Sequence, residues 1–313
     1  MRPRHRSVLW LLLLTSLAFS VDVRAQAVGK WTVKAPMPSA RTEVAAAAVG
    51  GKIYVMGGYG QGGELVEEYD TATDRWRRRA SLPRSLHHVA AAAIGGKIYV
   101  IGGYITGVGS MDTVYEYDPA GDRWRAVSPM PTARGALAVG VVGDNIYAIG
   151  GVGKDQRNSA ANEVYDPAKN SWAKRASIPS PRDHLAIGVV AGKLYAVAGR
   201  LDGRHARNVA VNEEYDPATD KWRPRSPILT ARSGIGGAQL GGRIYIFGGE
   251  SPAGTFNQTE AYDPLKNAWT TMSPMPTARH GLGVAVVGET IYVISGGPQP
   301  GATYSSVNEA FTP

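Results

Sequence analysis

Tryptophans stand at positions 31, 76, 124, 172, 222 and 269, at intervals of 45, 48, 48, 50 and 47 residues. No other feature limits the fold so tightly. A self-similar period in the high forties belongs to repeat architectures and lies in the range of propeller blades. Further landmarks keep fixed offsets from each Trp. Seven residues on comes Pro38, Pro83, Pro131, Pro179 or Pro276, with Leu229 in the fifth copy. Three further on comes Arg41, Arg134, Arg182, Arg232 or Arg279, with Leu86 in the second copy. Seventeen residues later stands a glycine (58, 103, 151, 199, 249, 296), preceded by an apolar stretch such as IYVMG or IYIFG. Seven residues before the next Trp stands Tyr69, Tyr117, Tyr165, Tyr215 or Tyr262, with Phe311 as the sixth of the series.

The variation in period lies between the glycine and the tyrosine, where the spacings are 11, 14, 14, 16, 13 and 15. Insertions in repeat proteins collect in loops on one face, often the binding face. Each period reads as four strands. A small-residue run such as Val44–Val49 suits an inner strand where blades converge. Gly-rich pairs such as Gly50-Gly51 and Gly95-Gly96 supply the positive φ that a tight hairpin needs. The apolar stretch is the second strand, the third ends at Tyr-Asp, and the Trp lies on the fourth. No long stretch of period 3.6 follows the N-terminus, so few helices are expected. The expected class is all-β: a six-bladed β-propeller with four antiparallel strands per blade. The two ends are complementary. The Trp31 strand has no strands before it, and the copy ending at Val307–Phe311 has no Trp strand. The first strand should therefore close the last blade, removing two raw sheet edges.

The Gly-Gly pair after an apolar strand, the Tyr-Asp before the Trp, and Met-Pro-x-x-Arg (whole in Met37–Arg41, Met130–Arg134 and Met275–Arg279) resemble the Kelch repeat. The resemblance spans residues 31–313 and implies the propeller. It leaves activity open, because Kelch propellers include protein-binding modules, sugar oxidases and a sialic-acid isomerase, and a fold does not imply a function.

The N-terminus reads differently. Arg2, Arg4 and Arg6 precede an apolar run from Val8 to Phe19, then small residues around Ala25 and Ala27. This is the pattern of a cleaved signal peptide, residues 1–25, and the run is too short for a membrane span. The mature domain is then 26–313, exported to a periplasmic or extracellular space, with no membrane span. There are no cysteines, so the core must suffice without disulfides and thiol chemistry is excluded. Removing residues 1–25 lowers the formal charge from +8 to +5. No basic stripe longer than Arg75–Arg79 remains, so nucleic acid is not an expected partner. Asn257-Gln258-Thr259 has the form of a glycosylation sequon.

Residues that recur from copy to copy serve the ring: the Trp and Tyr series for packing, the Asp after each Tyr for turns, and the five repeated arginines with Glu67, Glu163, Glu213, Glu260 and Glu309 as partners. A functional site should break the repeat. The positions just after the repeated Arg and just after the glycine should line one mouth of the central channel. They offer Glu43, His87, His88, Asp183, His184 and His280, and Tyr59, Tyr104, Arg200 and Glu250. His205 lies in the longest loop on that face. The expected function is non-catalytic binding of a protein, peptide or glycan by a monomer, with no cofactor. The alternative is a sugar-processing enzyme resembling a sialic-acid mutarotase or epimerase, for which Glu43, Asp183, His184, Arg200 and Glu250 offer carboxylate, imidazole and guanidinium. A galactose-oxidase-like site is excluded, because its cross-linked cofactor needs a cysteine. No metal is expected; His87, His88, His184 and His280 come from alternating blades and are read first as solvated or ligand-contacting side chains, with an axial metal completed by Asp183 or Glu43 as the lesser alternative.

Overall fold

The computed structural model describes residues 28–313, and the signal-peptide reading of residues 1–25 lies outside them. Six four-stranded antiparallel sheets surround a central channel. Blade 1 runs Ala45–Val49, Lys52–Met56, Val66–Asp70 and Arg75–Arg78 from the axis outward, and blades 2 to 5 repeat this order. Blade 6 takes three strands from the C-terminal end (Gly283–Val287, Thr290–Ile294 and Asn308–Thr312) and its outermost, Lys30–Val33, from the N-terminal end. Trp31 pairs with Phe311 in that register, so the two incomplete ends make one blade. Among the described residues the one helix is a single 3₁₀ turn, His205–Arg207, and no helix is long and apolar enough to cross a membrane.

The core is six cores. Each apolar cluster joins one blade to the next, as Tyr54 and Met56 of blade 1 meet Ile98 and Tyr117 of blade 2. The last such cluster joins Tyr292 and Ile294 of blade 6 to Ile53 and Tyr69 of blade 1. Every face is apolar because every sheet is covered on both sides, which gives the second strands their unbroken apolar runs.

The repeated polar residues clamp neighbouring blades. Trp124 Nε1 donates to the Ala80 carbonyl at 2.8 Å, and Asp122 accepts the Ala80 N–H at 2.9 Å. Tyr117 donates to the same Asp122 at 2.5 Å. Trp76 with Asp74 and Trp172 with Asn170 repeat the device. The Asp after each Tyr binds turn backbone, as Asp70 accepts the N–H groups of Ala72 and Thr73. Each repeated arginine is fully buried and pairs with its glutamate, as Arg134 with Glu163 at 2.7 Å. In blade 2, Leu86 and Tyr115 take both places and join an apolar cluster.

Candidate functional site

The two candidate rows are physically linked. In each blade the residue after the repeated Arg (Leu86 in blade 2) pairs through its backbone with the residue after the glycine: Thr42 with Tyr59, His87 with Tyr104, Gly135 with Val152, Asp183 with Arg200, Ser233 with Glu250, and His280 with Gly297. The next row forms a closed girdle around the axis. His88 N donates to Glu43 O, Ala136 N to His88 O, His184 N to Ala136 O, Gly234 N to His184 O, Gly281 N to Gly234 O, and Val44 N to Gly281 O, at 2.8–3.4 Å. All six girdle residues have left-handed backbone, with φ of 54° at Glu43, 53° at His88, 53° at Ala136, 51° at His184, 65° at Gly234 and 60° at Gly281. Below them Val44, Val89, Leu137, Leu185, Ile235 and Leu282 form an apolar collar.

Above the girdle lies a cavity of about 180 Å³ lined by Thr42, Glu43, Tyr59, His88, Arg200, His205, Glu250, His280, Gly301 and Ala302. One wall is aromatic. His87 stacks on Tyr59 with ring centroids 3.8 Å apart and lies 5.5 Å from Tyr104. A second part of the lining is ionic. Arg200 donates to Glu250 at 2.6 Å and Asp183 at 3.1 Å, and its third nitrogen lies 2.8 Å from His184 Nε2. Asp183 is also held by Asn158 at 2.5 Å and the Gly203 N–H, and Glu250 by the Gly301 N–H at 3.0 Å. The Glu43 carboxylate stands 3.4 Å from His88, 3.8 Å from His280 and 3.9 Å from His184. Gly281 leaves it room: a β-carbon there would come within 2.6 Å of Glu43 Oε1.

Burial alone would raise the Glu43 carboxyl, but the imidazoles of His88, His184 and His280 and the Arg200 guanidinium outweigh it and hold it down at about 2. Burial of Asp183 is likewise overcome, by its hydrogen bond from His184 and the nearby charges, leaving it at about 2. Burial lowers His88 to about 3 and His87 to about 4 against the attraction of Glu43. At neutral pH the ionised carboxylates of Glu43 and Asp183 therefore stand beside the neutral imidazoles of His87 and His88.

Six of the ten sequence candidates (Glu43, Tyr59, His88, Arg200, Glu250 and His280) line the cavity, and His87, Tyr104, Asp183 and His184 stand behind or beside them, but not as four histidines on one axial point. The cluster whose ligand atoms lie within 4.8 Å of one another is Glu43, His88 and His184. His280 stands outside it, facing the other Glu43 oxygen. His87 is turned aside: its Nδ1 meets His88 Nδ1 at 2.7 Å and its Nε2 faces Thr106 at 3.4 Å, so it belongs to the aromatic wall and not to a metal shell. Asp183 orients His184 at 2.5 Å, behind the ligand atoms. Asn158 and Gly301 were not legible as site residues, because they lie in the unequal loops, which have no common register.

A family model described as the KLHDC2/KLHL20/DRC7 Kelch-repeats domain matches residues 14–151 and 68–235, and a Kelch motif model matches residues 231–276. No curated protein sequence matches. Among solved structures, one titled "Structure of YjhT" superposes with a TM-score of 0.79 at 15% identity, covering 88% of this chain and 96% of that one. At that identity the likeness concerns the fold alone.

Proposed function

The chain belongs to the Kelch-repeat family, and from that premise we propose that it is an exported binding module that takes a glycan by one sugar unit in the channel mouth. The carrying observation is the mixed lining of the cavity. The Tyr59 ring, backed by the stacked His87, and the Arg200–Glu250 ion pair line one volume that suits a monosaccharide. A sugar ring has the same two characters: C–H faces that pack on aromatic rings and hydroxyls that bond to fixed charges. Ligand sites of this kind combine apolar lining with a few placed polar groups. Residues 1–25 support export by their signal-peptide pattern.

The alternative, sugar isomerisation, uses the same residues. Proton transfer is most efficient when the catalytic group titrates near the working pH. Glu43 at about 2 and His88 at about 3 are far below neutrality, which favours binding over catalysis. One NMR experiment separates the two. Saturation transfer from the protein to neutral, amino and acidic sugars should show at least one binder, lost in Tyr59→Ala and Glu43→Gln. Exchange spectra should show no faster anomer interconversion. Acceleration abolished by changing Arg200 or Glu250 would make the protein an isomerase, and no sugar binding at all would end the glycan reading.

A further inference from the structure

The mouth has three carboxylates and one guanidinium, and only two of the carboxylates are satisfied. Arg200, Asn158 and backbone N–H groups occupy Asp183 and Glu250. Among the described residues no group makes a hydrogen bond to the Glu43 carboxylate, although its side chain is only 11% exposed. Glu43 borders the cavity, so its carboxylate is open to a ligand. Its neighbours are three imidazole Nε2 atoms. Two of these have a fixed tautomer. His184 Nδ1 faces the Asp183 carboxylate and His280 Nδ1 faces the Gly297 carbonyl at 3.1 Å. Both acceptors demand a proton on Nδ1, which leaves Nε2 as the nitrogen that each ring turns toward Glu43. Three imidazole nitrogens turned on one carboxylate bring ligand atoms of the kind zinc takes to one place.

The backbone marks the same residues. Glu43, His88 and His184 occupy left-handed positions where blades 5 and 6 use glycine, a conformation unfavourable to any β-carbon. The girdle imposes that conformation on all six blades. Three of the blades nevertheless carry long ligating side chains there, and these are the three that converge.

We propose that Glu43, His88 and His184 form a site for a first-row divalent cation such as zinc, independently of any sugar above it. One oxygen and two nitrogens from three blades would make a three-ligand centre with a position open to the cavity, the arrangement of open zinc sites. Asp183 behind His184 is the carboxylate that orients a ligating imidazole. Arg200 is the competitor: its nitrogen 2.8 Å from His184 Nε2 holds the lone pair the metal would take, while its bonds to Glu250 and Asp183 keep it in place without that contact.

The test uses the full mature chain without a His tag, stripped with chelator and titrated calorimetrically with zinc alone, then with cobalt for its visible spectrum. Saturable binding of about one equivalent is expected, with a rise in Tm and cobalt bands of low-coordinate nitrogen and oxygen ligation. Glu43→Gln and His88→Ala should each weaken binding by at least about tenfold. Glu43→Gln preserves shape and keeps the test valid if His88→Ala does not fold. Absence of saturable binding up to about 1 mM zinc overturns the proposal, since that is the weak end of specific affinity. Zinc binding unchanged in the folded variants does so as well.

Discussion

Leucine in place of Arg134 should damage the protein severely, and changing Glu163 as well should repair much of the damage. Arg134 is fully buried, donates to Glu163 at 2.7 Å, and also donates to the carbonyls of Gly150 at 2.9 Å and Ala161 at 3.2 Å. Arg134→Leu leaves the Glu163 carboxylate in the interior with only the Thr132 hydroxyl, 2.7 Å away. Breaking a buried pair from one side typically costs about 3–5 kcal/mol, because the remaining charge is uncompensated. Blade 2 solves the same position with Leu86 and Tyr115, both buried in one apolar cluster. The variant Arg134→Leu/Glu163→Tyr copies that solution into blade 3. It removes the stranded charge, keeps the loss of the carbonyl bonds, and should recover about 2 kcal/mol or more relative to Arg134→Leu alone. Urea unfolding followed by tryptophan fluorescence measures both. A single substitution costing less than about 1 kcal/mol, the net worth of one ordinary hydrogen bond, would refute the reasoning. So would a double variant no more stable than the single.

Two further outcomes follow from the ring and its charges. A chain starting at residue 39 loses the Lys30–Val33 strand, the Trp31 hydrogen bond to Ser273 and the Trp31 packing on Phe311; it should melt lower and aggregate through the exposed blade 6 edge, and an unchanged Tm would sink the closure argument. Glu116 is buried, and although burial would raise its carboxyl, hydrogen bonds from Arg125 and Tyr99 outweigh that and hold it below the ordinary value of 4.5. Its folded pKa is therefore the lower one, so its stabilisation is present above pH 4.5 and is lost as pH falls below. Glu116→Gln should flatten the slope of stability against pH in that acidic window by up to about 1.4 kcal/mol per pH unit, one proton's worth, and an unaltered slope measured by urea unfolding at several pH values contradicts it.

The architecture was legible because every landmark has a job that each blade must repeat. Trp124 and Asp122 grip the same backbone residue of the preceding blade, and a requirement met six times leaves a period. The place of the candidate site was legible for the complementary reason: the polar residues that depart from the repeat sit in two rows that the structure brings together around the channel. Side-chain direction was not legible. His87 and His88 are adjacent, yet the first stacks on Tyr59 and the second, in left-handed backbone, turns to Glu43. Nor could spacing show that Arg200 is already taken by Asp183 and Glu250, since that pairing joins blades 4 and 5 across the mouth.

The pairing of Lys30–Val33 with Asn308–Thr312 also sets an order in time. The first described strand to leave a ribosome has no sheet to join until the last one arrives. Until then the growing chain is an open arc with a raw edge at each limit. A nascent chain stopped just before Asn308 would hold five complete blades and no lock. The ring is therefore locked by the meeting of its first and last described strands, and any state in which Asn308–Thr312 is not yet in place leaves Lys30–Val33 without a partner.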